Sequence, residues 1–179
     1  MIAHKTGIGA VIQSSLAIAA LSTLGDFIWA TWIPRPHPAY GLIHGTLLFL
    51  PIGLVLGALA HRPVVGAMAG ALIGAVGAAG FYLLAPLAGY AAMFMMWIAI
   101  WVALGVLGAW LRTGTLDLRG GLLRGGVAAV ASGAAFYAIS GIWRLFDPHG
   151  RDYATHFGAW TLAYLPGFGA LLLTRRGRR

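Results

Sequence analysis

The sequence predicts an all-α integral membrane protein with six transmembrane helices, folded as one domain over residues 1–179. Three observations carry that prediction. Of the 179 residues, 60% are hydrophobic and only 9% are charged, against roughly 25% charged in an ordinary soluble domain. Mean hydropathy is +0.84. The apolar residues also gather into long stretches, and crossing a ~30 Å hydrocarbon core takes about 20 helical residues. Hydrocarbon offers no partner for a free backbone N–H or C=O, so a spanning segment has to be a helix or part of a closed barrel. The runs are long and do not alternate, which argues against barrel strands.

The six stretches fall near 7–32, 40–60, 64–86, 89–111, 122–146 and 155–174. The first continues to Trp32 and carries Asp26 inside it. It is too long and too polar there to read as a cleavable signal peptide. The third holds Gly66, Gly70 and Gly74, a small-residue ladder that lets helix backbones approach closely. Its partner is open at this point: another helix of the chain, or a second copy in a homo-oligomer. The fifth is preceded by Arg119-Gly120-Gly121 and begins with Arg124-Gly125-Gly126 at its end. Arginines at such a level snorkel to the interface or meet an anionic lipid headgroup. The sixth follows Asp152, a helix-capping residue type.

Charge gives an orientation. With six spans both ends of the chain lie on one side. That side holds Lys5, Arg62, Arg112, Arg119, Arg124, Arg175, Arg176, Arg178 and Arg179, while the other holds Arg35, Arg144 and Arg151. The positive-inside rule then places both termini in the cytoplasm, with a bacterial inner membrane as the expected setting. The net charge of +8 comes from these segment ends, a placement that fits membrane topology and not a nucleic-acid surface. The absence of cysteine excludes disulfides, zinc–thiolate sites and thiol catalysis. No Gly-rich phosphate loop follows a strand, and no serine stands beside a histidine.

A pattern occurs twice. Ile28-Trp29, Pro34, His37, Tyr40, His44, Leu50-Pro51 and Gly53 are matched by Ile142-Trp143, Pro148, His149, Tyr153, His156, Leu165-Pro166 and Gly167. Trp-to-Pro spacing is five and His-to-His spacing is seven in both copies. Each copy covers the end of one apolar stretch, a turn and the start of the next. Helices 1–2 and 5–6 therefore look like related hairpins. Phe81, Pro86, Tyr90 and Phe94 suggest a third copy in helices 3–4, without the histidines.

The residues with chemistry to offer collect toward the non-cytoplasmic face. Asp26 lies about two turns inside the first helix, and a carboxylate at such depth needs a partner, a proton or water. Arg144 and the outer-face histidines are the expected partners. Asp26, Trp29, Tyr40, His44, Trp143, Arg144, Tyr153 and His156 form the candidate ligand-binding set. They read as the polar and aromatic mouth of a cavity for a lipid or other apolar small molecule. Headgroup-level ion pairs and helix caps explain many of the same residues. Two other chemistries stay open. His44 and His156 have the side chains to clamp a haem, with Arg35 and Arg151 on its propionates, or to hold a divalent metal with Asp26. Asp26 also suits a proton or cation site in a small transporter. In-helix serines such as Ser14, Ser15, Ser132 and Ser140 are expected to bond the carbonyl four residues back.

The last third is similar to the Insig family. The stretch that carries the likeness is Phe136-Tyr137, Gly141-Ile142-Trp143, Pro148, Tyr153, Trp160 and Leu165-Pro166. The resemblance implies six helices with cytosolic termini and an apolar ligand in a central cavity. The family's Asn-His-Ala-Ser segment has no counterpart between Gly89 and Trp97, and Trp160 is separated from Leu165-Pro166 where the family has them adjacent. A sterol-regulatory partner is therefore not implied.

Overall fold

A computed structural model describes residues 7–32, 38–89, 91–140 and 153–173, with side chains left undescribed at 29–32 and 136–140. The described residues form α1 (Ile8–Trp32), α2 (Pro38–Leu59), α3 (Pro63–Ala88), α4 (Ala91–Thr113), α5 (Leu118–Ser140) and α6 (Tyr153–Leu172). No strand occurs among them. In α1 to α4 the segments Ile8–Ile28, Pro38–Leu59, Pro63–Ala88 and Ala91–Thr113 are long and apolar enough to cross a bilayer. The chain is an all-α, multi-pass membrane protein. Trp143, Arg144, Tyr90, Lys5, Arg35, Arg151, His37, His149, Asp147, Asp152 and the C-terminal arginines lie outside the described residues, as does the Trp29 side chain.

Helix ends follow local chemistry. The α2–α3 turn closes with the Arg62 N–H on the Gly57 carbonyl (2.7 Å) and the His61 N–H on the Ala58 carbonyl (3.1 Å). This is the paired pattern that usually ends on glycine. Here His61 takes the left-handed conformation instead (φ 58°), and Pro63 starts α3 where a missing N–H costs nothing. The fifth helix begins four residues earlier than expected, at Leu118. Asp117 accepts a hydrogen bond from the Gly120 N–H (2.9 Å), and that cap holds the glycine pair inside the first turn.

Each helix packs on its neighbours in sequence, and α6 returns onto α1. The contacts are uneven. Between α2 and α3 the backbones touch at glycines. A Cβ added at Gly53 would meet the Gly66 carbonyl and the Gly70 Cα at 2.7 Å, and one at Gly57 would meet the Gly66 Cα at 2.9 Å. Gly74 lies against Gly45 in the same way. The Gly66, Gly70 and Gly74 ladder thus has its partner within the chain, and its packing face is occupied by α2. An oligomer through those three glycines would have to displace that helix. A second backbone contact joins α4 to α5. A Cβ at Gly125 would meet the Val102 Cα at 2.7 Å, and one at Gly121 the Val106 Cα at 2.8 Å. Between α1 and α2, by contrast, contact is sparse.

Aromatic side chains fill the interior. Trp97, Trp101, Trp160, Tyr164 and Phe168 are buried together. Ring centroids stand 6.1 Å apart for Trp97 and Trp101 and 5.3 Å apart for the stacked Trp160 and Tyr164. Gly167 makes room for the Trp101 ring, which lies directly against it. On the outside of α3, Val64, Met68, Leu72, Val76, Leu83 and Leu87 face outward. Such an apolar exterior suits hydrocarbon and not water.

The glycine contacts predict an order of sensitivity. Gly70→Ala should lower thermal stability in detergent by about 1–3 kcal/mol, because its methyl group meets the Phe49 carbonyl and the Gly53 backbone. Gly9→Ala faces open space and should be neutral or gain up to about 1 kcal/mol of helix propensity. Equal melting temperatures for the two variants would overturn the packing argument.

Candidate functional site

The C-terminal part of α1 carries Gly25, Asp26 and Phe27, and its two flanking helices supply what surrounds them. Asp26 Oδ2 accepts a hydrogen bond from the Trp160 indole Nε1 of α6 at 2.7 Å. Its other oxygen, Oδ1, stands 3.8 Å from His44 Nε2 of α2. About a quarter of the Asp26 side chain is exposed. The expectation that this acid needs a partner is met, in part by a residue that sequence reasoning had not chosen. Trp160 lies 134 positions away, and no spacing within a helix could signal it. The expected partner Arg144 is outside the described residues.

One turn deeper the same two helices meet again. Ser22 and Tyr164 share a buried hydrogen bond of 3.0 Å. Because Trp160 and Tyr164 stack one turn apart on α6, α1 and α6 are joined by two polar contacts at successive levels. Two further interhelical bonds meet at Ser132. The Ser132 hydroxyl donates to the Ala163 carbonyl (2.6 Å) and accepts from Trp97 Nε1 (3.2 Å). Ser15 behaves as expected and bonds the Val11 carbonyl of its own helix at 2.8 Å. Ser132 does not, because α6 brings a carbonyl within closer reach.

The remaining candidates divide between two sides of α1. Tyr153 stacks on Phe27, with ring centroids 3.6 Å apart, and the His156 ring lies 5.3 Å from that of Phe27. These two belong to the α1–α6 side. Tyr40 and His44 belong to the α1–α2 side. There they line a groove of about 150 Å³ with Gly25, Ile28, Ile43, Leu47 and Pro51 among the walls. The groove is lined by apolar side chains apart from Tyr40 and His44, and His44 is the residue beside Asp26. Since α2 and α6 pack on opposite flanks of α1, Asp26 and Phe27 stand between His44 and His156. A haem clamped by this pair would have to share that space with them. Among the described residues no three histidine or carboxylate groups come close enough to hold a metal.

The Ser22–Tyr164 bond gives a sign test. Ser22→Ala should cost about 1–3 kcal/mol, because it removes the Tyr164 hydroxyl's partner while leaving the hydroxyl buried. Adding Tyr164→Phe should recover most of that loss, since both polar groups are then gone. Thermal unfolding of the two single variants and the double variant measures the coupling. Strict additivity would mean that the bond contributes nothing.

No protein-family profile, curated protein or solved structure matches the chain, so its residues carry the functional reading.

Proposed function

We propose that this six-span membrane protein binds a lipid or other apolar small molecule in the groove between α1 and α2, with the polar part of the ligand at Asp26 and His44. The observation that carries the reading is the groove itself. It follows the one neighbouring pair of helices that touch sparsely, and its walls are hydrophobic except for Tyr40 and His44, the latter beside Asp26. That is the chemistry of a site for an amphiphile arriving from the bilayer. The aromatic cluster occupies the bundle's interior, so the ligand is read at the seam and not along the central axis. An apolar-ligand role is also what the resemblance to the Insig family implies, although that family's central cavity is a different location.

The orientation is part of the proposal. Arg62, Arg112, Arg119 and Arg124 belong to the end of the bundle where the α2–α3 and α4–α5 turns lie. By the positive-inside rule that end is cytoplasmic, together with both termini, and the Asp26 end faces away from the cytoplasm. Reporter fusions after Arg179 should be active as cytoplasmic fusions. A reporter active only on the far side would reverse the orientation.

Leu47 faces outward and lines the groove, so Leu47→Trp should fill the site without disturbing the fold. Native mass spectrometry of the protein released from mild detergent should show a retained lipid-mass adduct on the wild type and at least about tenfold less on the variant. Asp26→Asn keeps an oxygen that can accept from Trp160 and removes the charge. It should preserve melting temperature and change which adducts are retained. Unchanged adducts in Leu47→Trp would sink the groove as the binding site. A large stability loss in Asp26→Asn with adducts intact would make Asp26 a structural brace.

A further inference from the structure

The other end of the bundle holds two arginines in an unusual position. Arg112 is one residue from the end of α4, where a long side chain ordinarily reaches outward to the interface. Instead its guanidinium folds back along its own helix, with Nη1 3.4 Å from where a Cβ of Gly108 would stand. Arg124 belongs to α5, six residues after the helix starts, or about 9 Å deep at 1.5 Å per residue. Helical side chains lean toward the N-terminus, so Arg124 leans back toward the same level. Both arginines are half-buried.

Their proximity is enforced. Gly105, Gly121 and Gly125 bring the α4 and α5 backbones into contact, and on these antiparallel helices the side chains of Arg112 and Arg124 lean toward one another. Among the described residues no carboxylate lies within ion-pair range of either arginine. Asp117, the acid of the adjacent turn, is engaged in capping α5. Arg62 reaches the same region, 6.0 Å above the Trp110 ring, and adds a third positive charge. Two like charges held together where dielectric is reduced need a counter-ion, and guanidinium groups match phosphate oxygens with paired hydrogen bonds. Leu123 and Val127, one turn apart on α5, face outward beside Arg124 and offer acyl chains an apolar surface.

We propose that Arg112 and Arg124, set side by side by the α4–α5 glycine contact, form a binding site for the phosphodiester of an anionic phospholipid at the basic end of the bundle. The lipid phosphate supplies the negative charge that the described protein groups lack, and its chains lie along Leu123 and Val127. The site is distinct from the α1–α2 groove and does not depend on it.

The test compares the full-length protein in detergent supplemented with phosphatidylglycerol, with phosphatidylcholine of the same chains, or with inorganic phosphate. Phosphatidylglycerol should raise the wild-type melting temperature more than phosphatidylcholine does. Combining Arg112→Gln with Arg124→Gln should weaken the preference for phosphatidylglycerol by about tenfold or more. Arg119→Gln, an exposed neighbour, should leave it in place. In phosphatidylcholine alone the double variant should melt higher than the wild type, because the repulsion is gone. A purely structural role for the arginines would lower it. Equal effects of the two lipids on the wild type would overturn the proposal, as would a phosphatidylglycerol response that survives in the double variant. An equal shift from inorganic phosphate would overturn the lipid as occupant and leave a free-anion site. Should the double variant fail to fold, native mass spectrometry of the wild type decides alone: preferential retention of phosphatidylglycerol supports the site, and indifference between the lipids refutes it.

Discussion

Backbone lying on backbone is the constraint on which the rest of this bundle depends. In hydrocarbon, apolar side chains gain nothing by leaving lipid for protein, so helix association has to come from close packing and a few polar contacts. Glycine supplies the close packing. At Gly53 against Gly66 and Gly70, and at Gly125 against Val102, helices approach to distances that a single methyl group would forbid. Both contacts lie in hairpins whose turns are short and fall at the same end of the molecule. That end is therefore closed tightly. The opposite end is joined by 33–37, 89–90 and 141–152; there α2 and α3 still touch at Gly45 and Gly74, but α1 is held by side chains alone.

This asymmetry locates the chemistry. The α1 helix has no glycine seam to hold it. It is joined to α6 by Asp26–Trp160, Ser22–Tyr164 and the stacked rings of Phe27 and Tyr153, and it touches α2 only sparsely. A groove at that seam follows from having strong packing on one flank and weak packing on the other. The carboxylate that braces the strong flank turns its second oxygen toward His44 on the weak one. One residue thus takes part in both the fold and the proposed site.

Much of the fold was legible in the sequence, because hydropathy and helix length are local properties. Each of the six stretches overlaps a helix of the described residues, with 141–146 and 174 lying outside them. The largest shift is at the start of α5, where the Asp117 cap brings Gly120-Gly121 into the helix. Gly66, Gly70 and Gly74 were legible as a packing face, though their partner was not, since a spacing names a face and never the neighbour. The same limit applies to the site. The depth of Asp26 announced that it needed a partner, but Trp160 is brought to it by tertiary packing. The repeated Leu-Pro-x-Gly and Leu-Pro-Gly segments place Pro51 and Pro166 inside α2 and α6, each followed by a glycine against a neighbour. The neighbours differ in kind. Gly53 meets backbone, whereas Gly167 meets the Trp101 ring, and a sequence pattern does not encode that difference.

The distribution of charge explains why polar but neutral contacts dominate the interior. Asp26 belongs to one end of the bundle, and Arg112 and Arg124 to the other. Along antiparallel helices of this length the two signs are separated by much of the membrane thickness, so they cannot meet in an interhelical ion pair. Each end must find its compensation locally. At the acidic end the donor is an indole N–H, which neutralises nothing and leaves the carboxylate's charge to its second neighbour, His44, and to whatever enters the groove. At the basic end the described residues supply no acid at all beyond the one engaged in capping. Among the described residues, then, no lysine or arginine stands beside Asp26 and no carboxylate pairs with Arg112 or Arg124. The proposed amphiphile in the groove and the proposed anionic phospholipid on the arginines would supply those charges separately. On that reading the bilayer would contribute to the electrostatics of the bundle as well as to its solvation.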